Sequence, residues 1–280
     1  MESTFTNILT LSIDAFKSGE VAYMLSQGSM LIDNRTYDGS VWGQQLGTDN
    51  YPVFGDYKVI KAAKGDNDTY WATFSNRNSN AELMASTGEI TVYNATVSGG
   101  TLTLTKRSDN KVALGEGVLL KANCEYVNAM NISDEVSAAA TGENNLVATP
   151  ATEQTINAES GYKLYRLTYN NVSTKVGLGF YLGLVKEGNG TVISDNGSQL
   201  KATPGKAYLK VSPGAAAPAR GFVFPGDDET TGIGEIVIEG DAGISGTANA
   251  NDRIYNLQGQ QISTPVKGIY IKNNKKVIIK

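Results

Sequence analysis

Ser108, Asp109, Asn110 and Lys111 carry both an S-x-x-K and an S-D-N string, the residue types a serine nucleophile and an activating lysine would need. In acylating enzymes those strings lie on separate elements around a helical nucleophile. Here they overlap between TLTLTK and VALGEG, where a hairpin turn is expected, so they read as turn residues. Asp66, Asn67 and Asp68 offer oxygens to Ca²⁺, but the Gly and the distal Glu of a full calcium loop are missing, and a solvated turn is the better reading. Glu20, Asp33, Asp38, Asp49 and Asp56 crowd the first 60 residues. A carboxylate-dependent hydrolase needs two of them across a cleft, and their spacing places no such pair. The GLGF and GEGV strings lack the strand, turn and helix that a dinucleotide fingerprint requires.

Two absences narrow the chemistry further. The 280 residues contain no histidine, which removes histidine general bases, the Ser-His-Asp arrangement and imidazole metal sites together. The lone cysteine, Cys124, lies in KANCEYV at a strand end and reads as a small buried apolar group rather than a nucleophile. No catalytic residue, metal or cofactor is therefore assigned, and the expectation is a non-enzyme. Net charge is −4, and the one cationic cluster is Lys272, Lys275, Lys276 and Lys280 at the C-terminus. A nucleic-acid binder needs a basic stripe to replace phosphate counterions, so that partner is not expected. Lysines on a terminal strand serve instead to discourage sheet-to-sheet pairing.

Aromatic residues are the better lead to a ligand. Trp42, Tyr51, Tyr57, Tyr70 and Trp71 cluster in the N-terminal quarter. Exposed ring faces on a rigid β scaffold can stack on sugar rings, so Trp42, Tyr51 and Trp71 are candidate glycan contacts. Trp71, inside YWATF, fits a core position better than a ligand contact; Trp42, in a Gly-rich loop, fits either role.

The elements that must position these groups are mostly strands. Residues 8–26 hold the one helical pattern, with Ser12 as N-cap and Ile13, Phe16, Val21, Met24 and Leu25 able to share a face, although Gly19 weakens the middle. From about Phe54, the segments YKVIKA, YWATF, EITVYNATV, TLTLTK and GVLLKA alternate apolar and polar residues between Gly, Asn and Asp clusters. After a looser Ala/Asn/Thr stretch at 134–160, a second series follows: YKLYRLTY, GLGFYLGLV, SQLKA, KAYLKV and GFVFPG. LGEGVLLKA (114–122) and TPGKAYLKV (203–211) are similar, as are YWATF and YKLYRLTY before them, which suggests two related halves. The fold class expected is mainly β: one or two sandwich-like units, a short helical N-terminal segment and a small C-terminal β-hairpin tail. The expected boundaries are 1–53 for helix and loop, 54–133 and 134–225 for two β units, 226–234 for a linker and 235–280 for the tail. Asn273-Asn274 suits a tight hairpin turn, because Asn tolerates positive φ. The N-terminus, MESTFTNILTLSIDAF, has no basic region and only a short apolar run, so neither a signal peptide nor a membrane span is expected there.

The final block supplies the most specific resemblance. IYNLQGQQI (254–262) and PVKGIYIKNNKKVIIK (265–280) resemble C-terminal tails of exported Bacteroidetes proteins, type IX sorting domains among them. Those tails share an aromatic-Asn/Asp-apolar-x-Gly-Gln/Arg strand, a Gly-x-Tyr-apolar-apolar strand and a Lys-rich closing strand. The matching positions here are Tyr255, Asn256, Leu257, Gly259 and Gln260, then Gly268, Tyr270 and Ile271, then Lys275, Lys276, Val277 and Lys280. At about 45 residues the block is shorter than many full sorting domains. More loosely, SGEVAYML, VWGQQLGTDNYPV, LGEGVLLKA, PGKAYLKV and ARGFVF resemble β modules that precede such tails in large surface proteins. The resemblance implies a multi-domain parent, an extracellular or outer-membrane surface location, and secretion or anchoring machinery as partner, with glycan or a host surface as a further one. It implies that Tyr255, Gly259, Gly268, Tyr270, Lys275 and Lys276 carry tail recognition. If the protein is exported, the chain is a piece of a longer one whose true start lies upstream.

Overall fold

A computed structural model describes residues 11–32, 35–65, 68–140, 142–169, 177–188, 190–215, 221–224, 233–234, 236–239, 254–255, 261–262, 268–272 and 275–279. The chain divides into two compact units, Met1–Gly240 and Asp241–Lys280. The protein is mainly β, with several antiparallel sheets and two short helices near the N-terminus.

The body is three β layers deep. Its middle sheet runs in the order Ile236–Glu239, Thr101–Lys106, Ile90–Ser98, Gly117–Ala122, Tyr70–Ser75, Ala63–Lys64. A four-stranded sheet of Lys111–Val112, Asn80–Ala85, Tyr126–Ile132 and Tyr57–Lys61 covers one face. A second six-stranded sheet, Leu146–Ala148, Ala207–Val211, Lys163–Tyr169, Leu178–Leu182, Gly221–Val223 and Ile233–Gly234, covers the other. Because side chains alternate along a strand, a sheet covered on both faces must be apolar at consecutive positions. Gly117–Ala122 meets that demand. Leu119 enters the core shared with Tyr165, Phe180 and Leu209 of the second sheet, whereas Val118 and Leu120 enter the core shared with Leu83 and Val127 of the four-stranded sheet. The sequence reading takes GVLLKA as alternating, and the structure shows an inward residue at almost every position.

The two similar halves repeat one pairing. Tyr70–Ser75 lies antiparallel to Gly117–Ala122, and Lys163–Tyr169 lies antiparallel to Ala207–Val211. The matched motifs then meet across the core: a Cβ on Gly117 would sit 2.8 Å from the Cβ of Ala207, so only glycine allows that approach. The Ala/Asn/Thr stretch between the halves is pinned to the middle sheet. Asn144 accepts from the Ala95 amide at 3.1 Å and donates to the Gly117 carbonyl at 2.8 Å, while the Asn145 side chain accepts from the Val97 amide at 2.8 Å. Arg77 adds two bonds across the halves, to the carbonyls of Thr149 (3.0 Å) and Ala148 (2.7 Å). Beside this stretch, the carboxylate of Glu116, with its side chain 4% exposed, accepts from the Ala113 and Ala139 amides. The Arg107 guanidinium, 11% exposed, lies 2.8 Å from it as a charge contact; its nearest nitrogen makes no well-aligned hydrogen bond.

One seven-residue segment closes both sheets of the second core along one side. Ile233–Gly234 runs parallel to Gly221–Val223, with Ile233 opposite Gly221. Ile236–Glu239 then runs parallel to Thr101–Lys106, from Leu102 opposite Ile236 to Thr105 opposite Glu239. The sequence reading begins the tail at residue 235, but this strand belongs to the body, because its backbone partners are there.

The N-terminal segment packs on the outer face of the four-stranded sheet. Helices Ile13–Ser18 and Glu20–Ser26 meet at Gly19, whose φ of +91 ends the first helix; a Cβ there would lie 2.5 Å from Leu46 Cδ2. Ser12 is the N-cap, accepting from the Ala15 amide at 3.2 Å. The single apolar face expected over 8–26 is broken at Gly19, which resets the helical phase. Ile13 and Met24 are exposed, and Ala15, Val21 and Ala22 are the buried contacts. Ala22, Leu46, Val59 and Tyr126 form the small core beneath them.

Candidate functional site

Two regions hold the sequence-derived site residues. In the C-terminal unit the strand order is Gln261–Ile262, Ile254–Tyr255, Gly268–Lys272, Lys275–Ile279, all antiparallel. Five of the six tail residues fall in the strand register: Tyr255 opposite Ile271, Gly268 opposite Ile279, Tyr270 opposite Val277, Lys276 opposite Ile271 on its other side, and Lys275 opposite Lys272. Lys275 pairs with Lys272, so two residues separate the hairpin strands, the spacing that a tight turn at Asn273-Asn274 needs. Gly259 and the two asparagines lie outside the described residues. The closing strand with Lys275 and Lys276 is an edge of the sheet.

The second region is an aromatic patch on the N-terminal segment. Trp42 and Phe54 are opposite one another on the antiparallel pair Trp42–Gly43 and Val53–Phe54. Cross-strand neighbours of this kind bring their side chains together, and here the ring centroids are 4.4 Å apart at 37°. Phe54 is 70% exposed and Trp42 half-buried. Tyr51, 56% exposed, meets Phe16 of the first helix edge-on at 5.7 Å. The loop between these strands is held by buried amides. Gln44 is fully buried and donates to the carbonyls of Phe16 (2.8 Å) and Asp49 (2.9 Å). Asn128, from the four-stranded sheet, donates to the Gln44 carbonyl and accepts from the Leu46 amide, both at 2.7 Å. Asp49 spends its carboxylate on the Gln45 amide at 2.7 Å.

Trp71 is not part of that patch. It is 4% exposed, stacked on Phe224 at 4.3 Å and tilted against Tyr93 at 5.9 Å inside the core between the two six-stranded sheets. Its place in the doubly covered sheet makes it unable to meet a sugar. The residue that the aromatic reading misses is Phe54. Its signal is topological: two aromatics flank a Gly-, Asp- and Asn-rich loop at a separation that lets them pair across a hairpin.

The strings set aside in the sequence take up structural work. Ser108, Asp109 and Asn110 bend the chain between Thr101–Lys106 and Lys111–Val112. Asp109 accepts from the Lys111 amide at 3.1 Å, and Lys111 Nζ lies 2.5 Å from Asp134, whose carboxylate holds the lysine pKa above its usual value. Asp68 pairs with Lys64 at 2.9 Å, and Asp66 and Asn67 lie outside the described residues. Asp38 accepts from the Ser40 amide at 2.8 Å, and hydrogen bonding from the Ser40 hydroxyl first, then from that amide, lowers its pKa. Cys124 is half-buried, its thiol donates to the Tyr126 carbonyl at 3.3 Å, and burial pushes its pKa up, away from a thiolate. Among the described residues, no group of three or more His, Cys, Asp or Glu side chains is placed to hold a metal ion, and no helix is long and apolar enough to cross a membrane. No protein-family model, no curated protein and no solved structure matches this chain.

Proposed function

We propose that this chain is a non-catalytic structural module of an exported bacterial surface protein, and that its C-terminal unit acts in sorting or anchoring. The observation that carries the reading is the separate compactness of residues 241–280, with a four-stranded sheet whose order ends on the strand Lys275–Ile279. An edge strand presents unpaired N–H and C=O groups to a receptor, which can add a strand of its own. Lysines at 275 and 276 oppose self-pairing and so keep that edge open for the machinery. Tyr255, Tyr270, Lys275 and Lys276 are the side chains assigned to recognition, and Gly259 and Gly268 the positions assigned to backbone geometry. The resemblance of the tail motifs to type IX sorting domains is the support for assigning the parent to the extracellular or outer-membrane face of a Bacteroidetes cell. The test is a reporter fused to residues 241–280 in a host carrying that secretion system. The reporter is expected outside the cell; a reporter held in the periplasm, while the intact parent is still exported, ends the reading.

A second reading is favoured by one observation, the tilted ring pair of half-buried Trp42 and exposed Phe54, with Tyr51 exposed on the same segment. On this reading the body is a glycan-binding or adhesive module. Phe54→Ala or Trp42→Ala removes one ring face, an effect of about 1 kcal/mol, or roughly fivefold in affinity. A glycan array on the whole chain is expected to show sugars whose binding falls in both variants. Retention of the same sugars at wild-type strength by both variants would exclude the patch as the binding site.

A further inference from the structure

Between its two halves the body is joined by a strap that is fastened at both ends and free in the middle. Tyr126–Ile132 is the last strand of the first half and Leu146–Ala148 the first strand of the second. Residues 133–140 between them form no regular secondary structure, and Ser133, Asp134, Glu135, Ser137, Ala138 and Ala140 are exposed. On the upstream side Asp134 is held: its carbonyl accepts from the Asn80 side-chain amide at 2.7 Å, and its carboxylate pairs with Lys111 at 2.5 Å. On the downstream side the Ala139 amide donates to Glu116 at 2.9 Å. Glu135, Val136, Ser137 and Ala138 make no hydrogen bond or ion pair among the described residues. Exposed small and polar residues whose backbone is not hydrogen-bonded are where a protease most easily draws the chain into its cleft.

We propose that this strap is a processing site for an endoprotease selective for small aliphatic side chains, and that the cut chain stays assembled as a two-chain body. The specificity follows from composition: the bonds from Val136 to Ala139 join only Val, Ser and Ala. The nearest basic residues are Lys121 and Lys163, both within strands of the body, so a protease that reads Lys or Arg has no site in the strap. Hydrolysis there consumes one water and breaks one amide C–N bond. It leaves a carboxylate on the upstream residue and an ammonium on the downstream one, both at exposed positions. Residues 135–138 belong to no strand and to no core cluster, so the cut removes neither. The upstream fragment keeps Trp71, Leu102 and Leu119, and the downstream fragment keeps Tyr165, Leu209 and Phe222, all in one core. Polar ties also cross the junction. Ser75 donates to the Lys206 carbonyl at 2.6 Å, the Gly100 amide donates to the Ala215 carbonyl at 3.0 Å, and Thr101–Lys106 pairs with Ile236–Glu239. What changes is molecularity. The aromatic patch at Trp42 and Phe54 and the C-terminal unit then belong to different chains, and the stability of the body depends on concentration.

An elastase, which cuts after small aliphatic side chains, is the probe, used on the full chain under native conditions. Mass spectrometry of the fragments is expected to find a junction between residues 136 and 139. The fragments on either side of it are expected to co-elute in size-exclusion chromatography and to separate only in denaturant. Ser137→Pro combined with Ala138→Pro removes no hydrogen bond found among the described residues. It is expected to slow cutting at that junction at least about tenfold, because proline fixes the backbone that the protease must reshape. Absence of the junction when half of the chain has been consumed overturns the site, and so does an unchanged rate in the proline variant. Fragments that part without denaturant overturn the two-chain body.

Discussion

Glu116→Ala is expected to lower the stability of the body by about 3–5 kcal/mol, the cost of removing one partner from a buried ion pair. Three groups depend on that carboxylate. The amides of Ala113 and Ala139 each lose an acceptor, and the Arg107 guanidinium is left beside a void with little water to replace the lost charge. The Ala139 bond also holds the start of the connection between the two halves, so the loss should spread beyond the turn at residue 116. Chemical unfolding followed by circular dichroism measures it as a fall in the midpoint at unchanged slope. A paired change, Arg107→Met with Glu116→Leu, is expected to recover much of the loss, because it removes both buried charges together. Failure of the pair to recover would assign the effect to the two amides rather than to the stranded cation.

The second large effect concerns two adjacent leucines. Leu119→Ala and Leu120→Ala are each expected to cost about 2–5 kcal/mol, the range for deleting a buried leucine side chain and leaving its cavity. Neighbouring positions on a strand point to opposite faces, so in a two-layer sandwich one of the pair would face water and tolerate alanine. Here both are fully buried, one in each core. The double variant is therefore expected to approach or exceed the whole stability of a natural domain, about 5–15 kcal/mol, and to fail to fold at ambient temperature. Near-wild-type stability of either single variant would contradict the three-layer arrangement.

The fold class was legible because the β signal is local: short apolar runs, turn residues between them and no long helical period. Even the relation between the halves was visible, since LGEGVLLKA and TPGKAYLKV occupy corresponding strands that face each other across one core. The stacking of the layers was not. GVLLKA carries the mark of a doubly buried strand, an unbroken apolar run, but six residues cannot say which distant strands will cover each face. Trp71 illustrates the same gap, because its stacking partner Phe224 is far away in the sequence. The place of Ile236–Glu239 was hidden for a related reason. Its composition marks a strand, and only its register with Thr101–Lys106 assigns it to the body. At the aromatic patch Trp42 and Tyr51 were legible as residue types, while Phe54 needed the strand pair that sets it against Trp42. The tail motifs were read from type and order alone, and the strand register of the C-terminal unit now relates Tyr255, Gly268, Tyr270, Lys275 and Lys276 to one sheet.

A middle sheet with two covered faces also sets an order of events during synthesis. The ribosome delivers Trp71 and Leu119 long before Tyr165, Leu209 and Phe222, the residues that will cover them. Through that interval the nascent chain presents one completed core, closed by the four-stranded sheet, and one bare apolar face. Contacts so distant in sequence form slowly, and an uncovered face of this kind is the surface that holding chaperones bind and that neighbouring nascent chains stick to. The early half can reach a folded shape only as a half-dressed sheet. Its protection until residue 224 emerges is a burden that falls on the cell rather than on the sequence.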